Sequence, residues 1–173
     1  MARFDQIPKF TPSATWHCDI GWAYLEEWLS MQMTQGFTME PDFQRAHVWT
    51  ERQQVRYVEF ILRGGSGARD IMCNHPNWQS AGHGPYELVD GKQRLTAVLA
   101  FMRGQIRVFG HTFSEYEDKQ FLRFHAGLKW HVNELATRRE VLQWYLDLNA
   151  GGVVHTNEEL DRVRTLLAKE DER

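Results

Sequence analysis

Apolar residues recur three and four positions apart in three stretches of the chain, residues 21–33, 51–63 and 92–103. This spacing places them on one side of a helix, so each stretch is predicted to be an amphipathic helix with a buried face. The buried faces are predicted to consist of Trp22, Leu25, Trp28 and Leu29; Val55, Val58, Ile61 and Leu62; and Leu95, Val98, Leu99 and Met102.

Capping signals set the ends of these helices and predict two more. Thr50 and Gln53 have the spacing of a capping box, and Gly64 and Gly104 are placed to end the second and third helices. Thr137 with Glu140, and Thr156 with Glu159, repeat the capping-box spacing, so residues 114–173 are predicted to be helical. The apolar stripes of these last helices are Val141, Leu142, Tyr145 and Leu148, then Leu160, Val163 and Leu167.

Short apolar runs at 71–73, 87–89 and 106–109 predict strands between the helices. The alternation of strands and helices predicts an α/β (α+β) fold, in which a small mixed sheet containing 87–89 and 106–109 packs against helices 51–63 and 92–103. We expect a single domain, 1–173. Its parts would be an extended arm at 1–14, an α/β core at 15–113 and a helical C-terminal part at 114–173.

Composition narrows the partners. The net charge of −3 and the pI near 6.2 give no overall electrostatic attraction to nucleic acid, so any DNA contact must be local. The two cysteines lack paired spacing, and no apolar run approaches the length of a membrane span, which predicts a cytoplasmic protein with no membrane partner. Cys73, His75 and His83 lack a fourth ligand and paired spacing, so we expect no zinc.

The stretch 88–96, with the sequence LVDGKQRLT, carries the clearest candidate chemistry. An apolar strand meets Asp90 and Gly91, and a helix begins directly afterwards. Gly91 permits the sharp turn, and the free N–H groups of a helix N-terminus attract anions. Arg94 is suited to clamp a phosphate, and Asp90 could hold a metal ion or orient water. The alternative is a purely structural turn, because such sequences also arise by chance.

A second motif precedes the helix at 51–63. Residues 41–49, PDFQRAHVW, place Gln44 and Arg45 between aromatic residues on the approach to that helix. Extended backbone there could present both side chains to one ligand, although the pair could equally form a surface ion-pair site. A polyanion requires converging donors, so we predict that Arg45 and Arg94 line one pocket with Asp90 and Gln44.

Together these motifs resemble domain-of-unknown-function family 262, the N-terminal module of GmrSD-type modification-dependent restriction enzymes in the ParB/sulfiredoxin-like superfamily. The resemblance runs from residue 37 to residue 163 and includes the predicted strand at 105–110 and the segment 147–159, DLNAGGVVHTNEE. The family usually has DGQQR where this chain has DGKQR, so Lys92 replaces a glutamine. A lysine at this position still suits an anionic ligand.

The resemblance implies a ParB/sulfiredoxin-like fold that binds a nucleotide and is linked to DNA restriction or anti-restriction, with NTP hydrolysis as the implied activity. It implies a nucleoside triphosphate with Mg²⁺ as ligand and Asp90 as the metal-binding residue. Sulfiredoxin chemistry itself is not expected, because the turn contains no cysteine. The implied catalytic residues are Asp90, Gln93 and Arg94, and the implied nucleotide-binding residues are Gln44, Arg45, Gly91, Lys92, Arg94, Thr96 and Asn149.

Two other functions stay open at this point. One is a DNA-binding or nuclease-associated effector; relatives usually add a nuclease domain with a His-Asn-His type metal site, and no such region follows here, so we expect no autonomous cleavage. The other is a catalytically degenerate interaction protein, stand-alone and phage-encoded, that recognises a ligand, a host protein or a restriction-system protein. From residue spacing alone, Asn149 is a helix C-cap, since Gly151 and Gly152 follow it.

Overall fold

The computed structural model describes residues 16–78, 84–149 and 157–171. Three short 3₁₀ helices, Trp22–Tyr24, Phe113–Glu115 and Lys119–Arg123, join the regular elements. The strands are β1 (Trp16–Gly21), β2 (Phe37–Thr38), β3 (Asp70–Asn74), β4 (Tyr86–Asp90) and β5 (Gly127–Asn133). The α-helices are α1 (Leu25–Thr34), α2 (Glu51–Leu62), α3 (Lys92–Met102), α4 (Arg138–Asn149) and α5 (Asn157–Asp171).

The five strands form one mixed sheet in the order β1-β5-β3-β4-β2. β1 runs antiparallel to β5 and β3 runs antiparallel to β4, whereas β5 is parallel to β3 and β2 is parallel to β4. The α/β fold class with a small mixed sheet is therefore confirmed.

Helices cover both faces of the sheet, because alternate residues of a strand point to opposite sides. On β4, Tyr86 and Leu88 join the larger apolar core, which also contains the buried faces of α1, α2 and α3. Val89 points the other way, into a second core formed with α4 and α5. The sheet is thus the middle of three layers, and the turn after Asp90 lies where α3 leaves it.

The predicted helix boundaries and buried faces agree with the structure where local signals were strong. Thr50 and Gln53 form the reciprocal capping box at the start of α2. Gly64 and Gly104 follow α2 and α3 with positive φ angles of 88° and 70°, a conformation that glycine adopts without strain. Trp130 and Trp144, expected in the core, are buried.

The strand predicted at 106–109 is wrong. Val108 and His111 form only an isolated antiparallel bridge, and the chain reverses direction between them. Phe109 and Gly110 both have positive φ angles, 48° and 81°, which turn the backbone too sharply for an extended strand. The apolar side chains of this stretch therefore pack against helices without joining the sheet.

The expectation that 114–173 is helical also needs correction, because β5 lies inside that range and occupies a central position between β1 and β3. Leu128, Trp130 and Val132 are buried, and the residues between them are only half-buried. This two-residue alternation is typical of a strand with one buried face. Strands on both sides of residue 113 thus contribute to one sheet.

Several predictions fall on residues outside the described ranges. They are the extended arm at 1–14, the turn after Asn149 and the capping box that begins at Thr156. Within the described residues, no helix is long and apolar enough to cross a membrane.

Candidate phosphate site at the β4–α3 turn

The turn between β4 and α3 depends on a glycine. Gly91 has a φ angle of 103°, in the left-handed region that favours glycine. A Cβ atom on Gly91 would lie 2.7 Å from the Cδ1 atom of Ile71 and 3.1 Å from the carbonyl oxygen of Asp70. The backbone therefore turns directly against β3, and α3 begins with its first N–H groups at the end of the sheet.

Arg94 lies in the first turn of α3 and is held by two neighbouring strand ends. Its Nη2 atom is 2.5 Å from Oδ2 of Asp90, and its Nε atom donates to the carbonyl oxygen of Asp70 at 3.1 Å. The side chains of Arg94 and Asp90 are 21% and 37% exposed. Because a guanidinium has five N–H groups, these two contacts leave it the capacity to bind an anion from solvent.

Gln93, the residue before it, has a different role. Its Oε1 atom accepts from the backbone N–H groups of Val48 and Trp49 at 3.0 and 3.2 Å, and its Nε2 atom donates to the carbonyl of Ala46 at 3.2 Å. Gln93 is buried. Both ends of its amide therefore hold residues 40–49, which we call the docked segment, against the start of α3.

Lys92 and Gln44 hold the same segment. The buried Lys92 ammonium donates to the carbonyl oxygen of Arg45 at 3.1 Å and lies 3.1 Å from Oε1 of Glu40. Gln44 returns a contact from the docked segment, since its Nε2 atom donates to the carbonyls of Leu88 and Val89 at 3.2 and 3.3 Å. The two motifs found in the sequence thus bind each other in the fold.

The other predicted site residues are spread more widely. Arg45 is half-buried in the docked segment. Thr96 lines a cavity between α1 and α3, and a position two residues beyond Arg94 faces another side of the helix. Asn149 is the last residue of α4, and its side-chain amide donates to the carbonyl of Tyr145 at 2.7 Å. That Arg45 and Arg94 line one pocket stays a prediction.

Sequence analysis missed two groups that surround Arg94. Asp70 accepts from Arg94 through its carbonyl, and its carboxylate lies 2.7 Å from Nε2 of His131. Tyr57 donates to the carbonyl of Ala68, and burial raises the pKa of its hydroxyl to about 12, although the nearby charge of Arg94 lowers that pKa. An acidic residue at the start of an apolar strand was the available signal for Asp70.

The comparison with protein families agrees with this arrangement. The family model described as the GmrSD restriction endonuclease N-terminal domain matches residues 25–137, more than half of the chain. The chain belongs to this family. The match includes the docked segment and the whole β4–α3 turn, and it associates the domain with restriction systems. Residues 147–159, part of the resemblance drawn from the sequence, lie outside it.

Two further comparisons found nothing: no curated protein and no solved structure matches the chain. The roles of individual residues in this GmrSD N-terminal domain therefore rest on its own geometry.

Proposed function

We propose that this GmrSD N-terminal domain binds a nucleoside triphosphate at the β4–α3 turn. The observation that carries the proposal is the Arg94 guanidinium, fixed by Asp90 and Asp70 in the first turn of α3. A fixed guanidinium beside a helix N-terminus favours a phosphate twice, by charge-assisted hydrogen bonds and by the backbone N–H groups.

The contacts within the motif divide its residues into two groups. Lys92 and Gln93 use their polar atoms to hold the docked segment. Asp90 and Arg94 pair with each other and stay partly exposed. We assign ligand contact to Asp90 and Arg94, and positioning of the site to Lys92 and Gln93. On this assignment, the lysine that replaces the usual glutamine at residue 92 supports the fold of the site.

A magnesium ion would accompany the nucleotide at Asp90. Arg94 contacts the Oδ2 atom of this carboxylate, and the side chain is exposed enough for its second oxygen to meet a cation. Magnesium commonly takes only one or two protein carboxylates and completes its shell with phosphate oxygens and water. Within 16–78, 84–149 and 157–171, no group of three or more His, Cys, Asp or Glu side chains could hold a metal by itself.

Calorimetric titration of ATP and GTP, each with and without MgCl₂, tests the proposal. The Arg94→Ala variant should bind about ten- to a hundredfold more weakly, since a hydrogen bond to a charged group contributes roughly 1.5–3 kcal/mol. Arg103→Ala is the matched control, because Arg103 ends the same helix and pairs only with the exposed Glu26 among the contacts seen here. Its affinity for nucleotide should equal that of the wild type.

Melting curves of the same variants separate binding from stability. If Arg94 serves only as the structural partner of Asp90, Arg94→Ala lowers the melting temperature and leaves nucleotide affinity unchanged. If the wild type binds no ATP, GTP or inorganic phosphate at millimolar concentration, nucleotide binding is wrong, and an oligonucleotide titration then tests DNA contact. Phosphate release from bound nucleotide measures hydrolysis as a separate property.

A further inference from the structure

An apolar cavity lies at the ends of α2 and α3 that are distant from the β4–α3 turn. Its volume is about 210 Å³. Leu62, which ends α2, and Phe101, near the end of α3, contribute to its wall. Phe101 follows Arg94 by seven residues, a distance of about 10 Å along the helix axis at 1.5 Å per residue. The cavity is therefore separate from the proposed phosphate site.

Aromatic rings form most of the wall. Phe101 meets Phe113 and Tyr116 edge to face, with ring centroids 5.5 and 5.9 Å apart and interplanar angles of 85° and 79°. The Tyr116 hydroxyl donates to the carbonyl of Val108 at 2.8 Å. Its polar end is thus already bonded, and the wall presents ring faces and edges to any ligand.

Two more rings stand at the mouth and are partly open to solvent. Phe109 is 42% exposed and Phe121 is 43% exposed. Phe109 has a φ angle of 48°, a left-handed conformation that is unusual and costly for a bulky residue. The exposed ring and the strained backbone together mark this mouth as a place where bound apolar surface would be favourable.

Charge at the mouth does not select an ion. Asp118 and Lys119 both line the cavity and have opposite charges. The Lys119 ammonium already lies over the ring of Phe113, 5.3 Å from its centroid. A buried ionic ligand would therefore lose its hydration without gaining a net opposite charge.

We propose that this cavity binds an uncharged planar aromatic group of about indole size. An apolar cavity of about 150 Å³ can hold benzene, so a cavity of about 210 Å³ suits two fused rings. Aromatic walls recognise such a group by stacking and edge contacts. The group could belong to a free small molecule or to a tryptophan side chain of a peptide, and both present the same ring.

Titration by NMR with indole and with N-acetyltryptophanamide tests this proposal and distinguishes the two sources. Indole should saturate the site with a dissociation constant on the order of 0.1–1 mM, as expected for a ligand of this size. The methyl signals of Leu62 and Leu122, which line the cavity, should shift. Tighter binding of the amide would favour a peptide source, and tighter binding of indole would favour a free molecule.

Two variants remove rings from the mouth without opening the core. Phe109→Gly removes one ring and also relieves the left-handed backbone, so its melting temperature should not fall. Phe121→Ala removes the other ring. Each should weaken indole binding at least about fivefold. Phe124→Ala is the matched control, because Phe124 is 86% exposed and does not line the cavity.

Two results would overturn the proposal. The first is the absence of saturable binding of either probe up to its solubility limit. The second is an equal loss of binding in the Phe124→Ala control, which would show that the probes adhere to exposed phenylalanines in general.

Discussion

The assignment of Gln93 to positioning the docked segment leads to a quantitative prediction for Gln93→Ala. The substitution removes three hydrogen bonds to backbone groups of Ala46, Val48 and Trp49 while leaving the helix itself intact. The docked segment would then lose the contacts that hold its last residues against α3. We therefore expect a loss of stability that is largest in residues 46–49.

The magnitude follows from the bonds. Each contributes a net 0.5–1.5 kcal/mol, so the loss should be roughly 2–4 kcal/mol, given that the segment is only partly buried. In a domain of this size, 1 kcal/mol shifts the melting temperature by about 2–4 °C. The variant should therefore melt roughly 5–12 °C below the wild type.

Urea denaturation and amide hydrogen exchange measure the global and local effects. The amides of Val48 and Trp49 should exchange faster in Gln93→Ala, because their acceptor is gone. Gln143→Ala is the control, since Gln143 is exposed and its amide donates only to the nearby Asp147. If the two variants lose equal stability, or if exchange in 46–49 is unchanged, the positioning role of Gln93 is refuted.

Two further predictions concern the turn and the second core. Gly91→Ala should cost roughly 2–4 kcal/mol in urea denaturation, because the left-handed φ angle and the 2.7 Å approach to Ile71 both oppose a Cβ atom. Arg138→Met removes the guanidinium that binds both carboxylate oxygens of Glu87 at 3.1 and 3.2 Å. Burial raises the pKa of Glu87 and the charge of Arg138 lowers it, so the variant's pKa should rise further above the unfolded value. Protonation then favours the folded state, and the destabilisation seen at pH 7 should shrink as the pH falls toward 5; a constant loss, or an equal effect in the exposed Arg139→Met control, would contradict this.

The helices could be predicted because their signals are local. The capping box of α2 joins residues three apart, and the buried face of α3 follows from its own periodicity. Part of the candidate site was local in the same way. Gly91 marks the turn, and the Asp90–Arg94 pair spans four residues, one turn of a helix.

The errors lie where a short apolar run has no local signal to decide its conformation. Residues 106–109 are as apolar as a strand, yet the turn at Phe109 and Gly110 removes them from the sheet. The alternating pattern of β5 was present in the sequence, but it gains its meaning from pairing with β1 and β3. Strand formation depends on such partners more than helix formation does.

The sequence by itself determined the helices, the sharp turn at Gly91 and the family, because these depend on residues close together in the chain. Only the tertiary structure decided how the two motifs are used. Gln93 contacts residues 44 to 47 positions earlier, and Arg94 contacts the carbonyl of a residue 24 positions earlier. The hydrogen-bonding capacity of a glutamine or an arginine does not specify its partner. Folding brings these distant groups together and so separates the side chains that position the turn from those left to meet a ligand.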